Sequence, residues 1–251
     1  MNFSMRKTDT GRGDLLDGVV DDRPFNLHVE RRLVGHKMMG SSVIALSTSL
    51  ADTGDELQAV AQELTPTGFA KQAEKQVRER VAPAFKAVQA AEPRARADLA
   101  ERSIMFDPKP EGEPAIRAEL RAFASSLSLP EVMQASKTDG ALANAIFEGG
   151  QARSGLPADV FAAIERDARL QRAAAILTGQ RTYATVATAD DPIGGAVDYN
   201  AARVDVEAML SALDAEAALL DAVGPLLANT VSAVALLLDT SREAAFKALT
   251  A

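Results

Sequence analysis

The chain has 251 residues, of which 47% are apolar but only 4% aromatic, with no cysteine and a formal net charge of −8. Without cysteine there are no disulfides, thiolate metal sites or thiol nucleophiles, and the acidic balance argues against a broad nucleic-acid footprint. Apolar content carried by Ala, Leu and Val is the composition of packed helices, so the expected fold is mainly α, an irregular multi-helix bundle.

The first stretch, Met1 to about Ser42, differs from the rest. Gly11, Gly13, Gly18, Pro24, Gly35 and Gly40 punctuate short apolar pieces, and no helical period is sustained. Phe25, Leu27 and Val29 alternate with Asn26, His28 and Glu30, the period of a half-buried strand. Residues 1–50 therefore read as an extended arm with one or two short β-strands. Val43 to Leu50 is ambiguous between a strand and an early start of the following helix.

Helical signals become explicit in residues 51–107. Thr53 and Glu56 have capping-box spacing, followed by Leu57, Val60, Ala61 and Leu64 on one face. Thr65-Pro66 ends that helix and opens the next, whose inward face carries Phe69, Ala73, Val77, Val81, Phe85 and Val88. Pro83 should kink or split this helix, Pro93 should end it, and a shorter helix with Leu99, Met105 and Phe106 should follow. The Pro-rich segment 108–114 reads as a linker and the best candidate for a domain boundary.

Residues 115–251 read as a helical body. Ile116, Leu120, Phe123, Ala124 and Leu127 form one stripe; short helices at about Pro130–Ser136 and Asp139–Glu148 stop at Gly149-Gly150. Pro157 opens a helix with Val160, Phe161, Ile164, Ala168 and Leu177 inward. Gly179 to Val197 interrupts the pattern, with an extended piece around Tyr183 and a turn at Asp190-Asp191-Pro192. Asp198 caps the most regular stripe, Val206, Met209, Leu210, Leu213, Ala217 and Leu220, which Gly224-Pro225 ends. Val223–Leu238 is the most apolar stretch, but it is short and carries Gly224, Pro225, Asn229, Thr230 and Ser232, so it reads as a buried helix and no membrane span is expected. A helix capped at Ser241 closes the chain.

Few residues point to chemistry. His28 and His36, with Glu30 between them, are the only histidines, and their spacing fits no zinc pattern. There is no Gly-x-Ser-x-Gly elbow, no Walker A loop and no dinucleotide fingerprint. Glu165 and Asp167, beside Arg166 and Arg169, read as solvated helix charges. No catalytic residue, cofactor or metal is therefore expected.

Charge is segregated: Phe69–Arg102 holds eight Lys/Arg and five Asp/Glu, net +3, whereas Asp198–Ala251 holds three and eight, net −5. An irregular arm, a helical body and segregated charge together point to a non-enzymatic structural or interaction protein, a subunit of a larger homo-oligomeric assembly. The arm would dock on neighbours through Phe25, Leu27, Val29, Arg31 and Arg32. The expected partners are further copies of the chain and other assembly proteins, not specific nucleic-acid sequences. Viral or phage-like shells and connectors are one setting that uses such arms. Because Met1–Asp9 has no apolar core, a secretory signal is not expected, which leaves the cytoplasm or an assembled particle as the location. The alternative is a helical enzyme or small-molecule binder with its site near the 179–197 loop, at Tyr183, Asp190 and Asp191.

Overall fold

The computed structural model describes residues 3–109, 112–180, 183, 187–189, 192–193 and 197–251. The chain opens with β1 (Phe3–Asp9), β2 (Gly13–Val20) and β3 (Arg23–Glu30), followed by α1 (Arg31–Val34), α2 (Gly40–Val60), α3 (Pro66–Gln76) and α4 (Ala82–Ser103). Then come α5 (Pro114–Ser126), α6 (Leu129–Thr138), α7 (Gly140–Gly149), α8 (Gln151–Ser154) and α9 (Ala158–Gln180). The last elements are α10 (Tyr199–Asp221), α11 (Val223–Leu237) and α12 (Arg242–Thr250). The fold is mainly α with a strand-bearing N-terminal region, as the composition and the alternation at Phe25–Glu30 imply.

Two compact units divide the chain. Unit 1 is Met1–Leu99 with Ala215–Ala251, and unit 2 is Ala100–Asp214. The chain crosses between them within α4 and again within α10, so the Pro-rich segment falls inside unit 2; Pro110 and Glu111 in it lie outside the described residues.

In unit 1 the arm is a folded antiparallel meander of three strands, in the order β1-β2-β3. Asp21 and Asp22 form a two-residue turn between β2 and β3 with φ of 45° and 67°. Both residues in the left-handed region is the turn geometry that matches strand twist, and aspartate tolerates it because its short side chain bonds locally. The register sets Leu16 opposite Leu27 and Gly18 opposite Phe25. A Cβ on Gly18 would lie 2.5 Å from the Phe25 ring, so the glycine is what lets this aromatic lie across the sheet. One sheet face carries Leu16, Val20, Leu27 and Val29 into the core, while Asp17, Asn26 and His28 are exposed.

Around that face pack Leu33, Val43, Leu46, Val81, Phe85 and Leu220. A second cluster joins Phe3, Val20, Leu57, Phe69 and Leu237, with the Phe3 and Phe69 rings 5.5 Å apart. Each such side chain removed from water contributes about 1.5–3 kcal/mol.

Four boundaries in unit 1 differ from the sequence reading. α2 starts at Gly40, and Thr53, expected as a cap, is fully buried in its middle with its hydroxyl unbonded among the described residues. The buried series Val43, Leu46, Leu50, Leu57 runs straight through Thr53, and this packing outweighs the capping preference. At Pro83 the helical run does not stop. Val77–Val81 forms a π turn continuous with α3 and α4, widened where the Pro83 ring would crowd the Glu79 carbonyl. Pro93 does not end α4. It is exposed, so water can serve the freed carbonyl, and Val88 and Ala95 anchor the helix on either side. Likewise Gly224-Pro225 lies in the first turn of α11, where a missing N–H costs nothing, and only Ala222 separates α10 from α11.

Unit 2 has two smaller cores. One gathers Phe106, Leu170, Ala173, Leu177, Val206 and Leu210; the other Val132, Leu142, Ala143, Ile146, Ile164 and Ala168. Its helix ends follow the sequence signals. Asp139 accepts from the Ala141 and Leu142 amides, Gly150 closes α7 at φ 74°, and Asp198 accepts from the Ala201 amide. The α5 stripe does not follow its signal, since only Ala124 is fully buried, while Ile116 and Phe123 are 51% and 53% exposed. Met209 on α10 is likewise exposed.

Candidate functional site

The arm residues expected to dock are largely spent within the chain. Leu27 and Val29 are 2% and 1% exposed in the main core of unit 1, and Phe25 is half-buried over Gly18. Burial in their own core takes them out of any docking surface. Arg31 Nη2 bonds both carboxylate oxygens of Asp9 at 2.7 Å. The Gly11 amide, helped by Arg31, holds the Asp9 carboxyl below the usual range. Arg32 is exposed.

The two histidines do different things. His28 is exposed on the outer face of β3. His36 is half-buried, with its side chain 7% exposed: its Nδ1 accepts from the amides of Met38 and Met39, both at 3.2 Å, and its Nε2 lies 3.0 Å from Glu216 Oε1. An Nδ1 that accepts from amides carries no hydrogen, so the ring hydrogen is on Nε2, which donates to the carboxylate. The imidazole holds the Lys37–Met39 turn that leads into α2 by engaging the Met38 and Met39 amides ahead of the first helical residue, Gly40. Among the described residues no three His, Cys, Asp or Glu converge as metal ligands.

Asp190 and Asp191 lie outside the described residues. Tyr183, from the same loop, is stitched to the start of α10. Its hydroxyl donates to Asp205 Oδ2 at 2.9 Å, and its carbonyl accepts from the Asp198 amide at 2.9 Å. Glu165 pairs with Arg169 along α9, but Asp167, only 14% exposed, reaches Arg203 of α10 at 2.7 Å, so it is a packing contact and not a solvated charge. Arg166 adds a second tie, to Asp214 at 3.1 Å.

A cleft of about 400 Å³ in unit 2 is bounded by the end of α6, the starts of α7 and α10, and the middle of α9. Lys137, Arg172 and Arg203 line it with Asn144 and Tyr199, and among the described residues no carboxylate does. Its wall is fixed by Gln171, whose Nε2 donates to the carbonyls of Ser136 (2.8 Å) and Lys137 (3.0 Å). A Cβ on Gly140 would lie 2.6 Å from Gln171 Oε1, so a glycine is needed for this amide to lie flat against α7. Asn144 Oδ1 is buried and has no hydrogen-bond partner among the described residues.

A second, mainly apolar groove of about 680 Å³ in unit 2 is lined by Ile104, Met105, Phe106, Ile176, Met209 and Leu213. None of these cleft residues stands out in the sequence. Lys137, Asn144 and Arg203 lie on three helices, and only the Asp139 and Asp198 caps, which aim α7 and α10, were visible signals. Comparison with protein-family models, curated proteins and solved structures finds no match to this chain.

Proposed function

We propose that the protein is a non-enzymatic interaction protein that works as a subunit of a homo-oligomeric assembly, with unit 2 making the self-contact in place of the arm. The observation that carries this reading is the distribution of exposed apolar side chains. Of the eleven large ones exposed among the described residues, Ile44 and Phe246 belong to unit 1 and the other nine to unit 2. Scattered apolar residues are ordinary, but a helix that buries one residue and shows two large ones on a single side is an unpartnered face.

That helix is α5. Ile116 and Phe123, seven residues apart, project on one side with half-buried Leu120 between them. Two copies of α5 packed antiparallel about Leu120 cover both apolar sets. Such a two-fold contact needs no further element. His36 supports a non-catalytic reading, because both of its nitrogens are engaged, Nδ1 by the Met38 and Met39 amides and Nε2 by Glu216. Tyr199–Leu237 contains a window of mean hydropathy 1.6. Half of that window is buried inside the protein, so we read it as core and not as a membrane span.

Deleting the arm is no test of assembly, since it removes Leu16, Leu27 and Val29 from the core. The test is light scattering on the full chain at tens of micromolar, which is expected to give at least a dimer. Phe123→Glu and Ile116→Glu are expected to give monomer with an unchanged unfolding midpoint. A strict monomer for the wild type, or an unaltered mass for both variants, overturns the reading.

A further inference from the structure

We propose that a groove in unit 1, between α4, α11 and α12, binds a free apolar α-amino acid, with its side chain on an aromatic floor and its two charges at the rim. The groove has a volume of about 480 Å³, within the size range of small-molecule sites. Phe85, Leu227, Val231 and Phe246 make its apolar part. Phe85 and Val231 belong to the core, 1% and 8% exposed, so this floor is already formed. The Phe246 ring stands edge-on to Phe85, with centroids 6.4 Å apart, and its own 45% exposure leaves ring surface open to the groove.

The rim carries one cation and one anion, Arg242 and Glu243, side by side on the first turn of α12 and both exposed. Neither has an ion-pair partner among the described residues. Arg242 makes one long contact, from Nη2 to the Ala228 carbonyl at 3.5 Å, which leans the guanidinium across α11 and leaves its other N–H groups free. That carbonyl already accepts from the Ser232 hydroxyl at 3.1 Å, so it does not depend on the arginine. Glu243 is not spent on the helix start either, because the Ser241 hydroxyl accepts from the Ala244 amide there.

This pair of free charges selects the class of molecule. A simple anion drawn to Arg242 meets Glu243 beside it, a simple cation meets Arg242, and a purely apolar molecule engages neither. A molecule with a carboxylate and an ammonium on one carbon meets both: the guanidinium donates to its carboxylate, and Glu243 accepts from its ammonium. Gln89, on α4 at the same rim, adds an amide. Because the charges are open to solvent, each contact is weak and selectivity needs all of them together, with a dissociation constant of about a millimolar or more. The site is independent of the self-contact assigned to α5.

The experiment uses the full chain and three probes of similar shape: L-phenylalanine, phenylacetate, which lacks the ammonium, and phenethylamine, which lacks the carboxylate. Each is titrated at constant pH and ionic strength and followed by amide chemical shifts. L-Phenylalanine is expected to saturate one site per chain, with shifts centred on Gln89, Leu227, Val231 and Phe246, and to bind roughly threefold to tenfold more tightly than either analogue. Arg242→Gln is expected to weaken L-phenylalanine by that factor without weakening phenethylamine, and Glu243→Gln to weaken it without weakening phenylacetate. This crossed pattern separates recognition from loss of the fold, and Lys71→Glu, on α3, is expected to change nothing. Absence of saturation by L-phenylalanine below about 100 mM, equal affinity for all three probes, shifts centred elsewhere, or wild-type affinity in both charge variants overturns the proposal.

Discussion

Around the sheet of unit 1, buried side chains run from Leu16 and Leu27 through Val43 and Phe85 to Leu220, and only Ile44 and Phe246 of its large apolar residues stand well exposed among those described. Unit 2 has two smaller clusters and nine such exposed residues. Element length explains part of the contrast. A three-stranded sheet offers one broad apolar face to several helices at once, whereas α5, α6, α7 and α8, with 13, 10, 10 and 4 residues, each offer a narrow stripe. The cation-lined cleft and the unpartnered α5 face are both in unit 2. The large buried core is therefore in unit 1, and the self-contact proposed above in unit 2.

The hardest test of that division compares truncations. Leu27→Ala removes a side chain at the centre of the unit 1 core and is expected to cost about 2–5 kcal/mol in urea unfolding, because the rigid sheet collapses poorly around the hole. Phe123→Ala, although it removes a larger side chain, is expected to change stability by no more than about 0.5 kcal/mol, the range of exposed positions. Comparable losses from the two would break the comparison.

A smaller effect is expected at His36. Alanine there frees the Met38 and Met39 amides and leaves Glu216 without its imidazole donor, a loss of about 1–3 kcal/mol. The distinctive readout is hydrogen exchange. Those two amides should lose protection first, and His36→Asn, which keeps a side-chain acceptor, should restore part of it. Unchanged protection in His36→Ala would show that packing of Leu33 and Met39, and not the imidazole, holds the turn into α2.

Much of the fold was legible in the sequence because it rests on local rules. The alternation at Phe25–Glu30, the caps at Thr65, Asp139, Asp198 and Ser241, and the stop at Gly150 all appear where the residues place them. What was not legible depends on contacts far apart in the chain. The Asp21-Asp22 turn lacks the Asn-Gly signal, so the arm reads as extended when it is folded back on the helices. The turn into α2 is held by a histidine bonded to a glutamate 180 positions away, so Thr53 looked like the start. The outward stripe on α5 and the inward stripe on α3 have the same period, and only tertiary packing tells them apart. The cleft is less legible still: Lys137, Arg172 and Arg203 share no spacing, and nothing but the meeting of three helices brings them together.

The smallest expected effect concerns how unit 2 holds α5. Glu148 on α7 accepts from Arg117 at 2.8 Å and from Arg121 at 3.1 Å, so one carboxylate tethers two turns of α5. The Arg117 hydrogen bond, with smaller help from the charges of Arg117 and Arg121, holds the Glu148 carboxyl below the usual range. Glu131, bonded by the Ser128 hydroxyl and amide, is lowered in the same direction. A folded value below the unfolded one means that these carboxylates stabilise the protein above the unfolded value of about 4.3, and that the contribution fades as the pH falls through the folded value. Both groups are open to solvent, which keeps the effect modest. Taking the wild type from about pH 7 to about pH 3 is therefore expected to raise amide exchange in α5, once corrected for intrinsic rates, ahead of α2 and α4. In Glu148→Gln the exchange of α5 should already be raised at neutral pH and should change less on acidification. If α5 responds to acid equally in both proteins, the tether is not what keeps this helix in place, and its short buried face at Leu120, Ala124 and Leu127 must suffice.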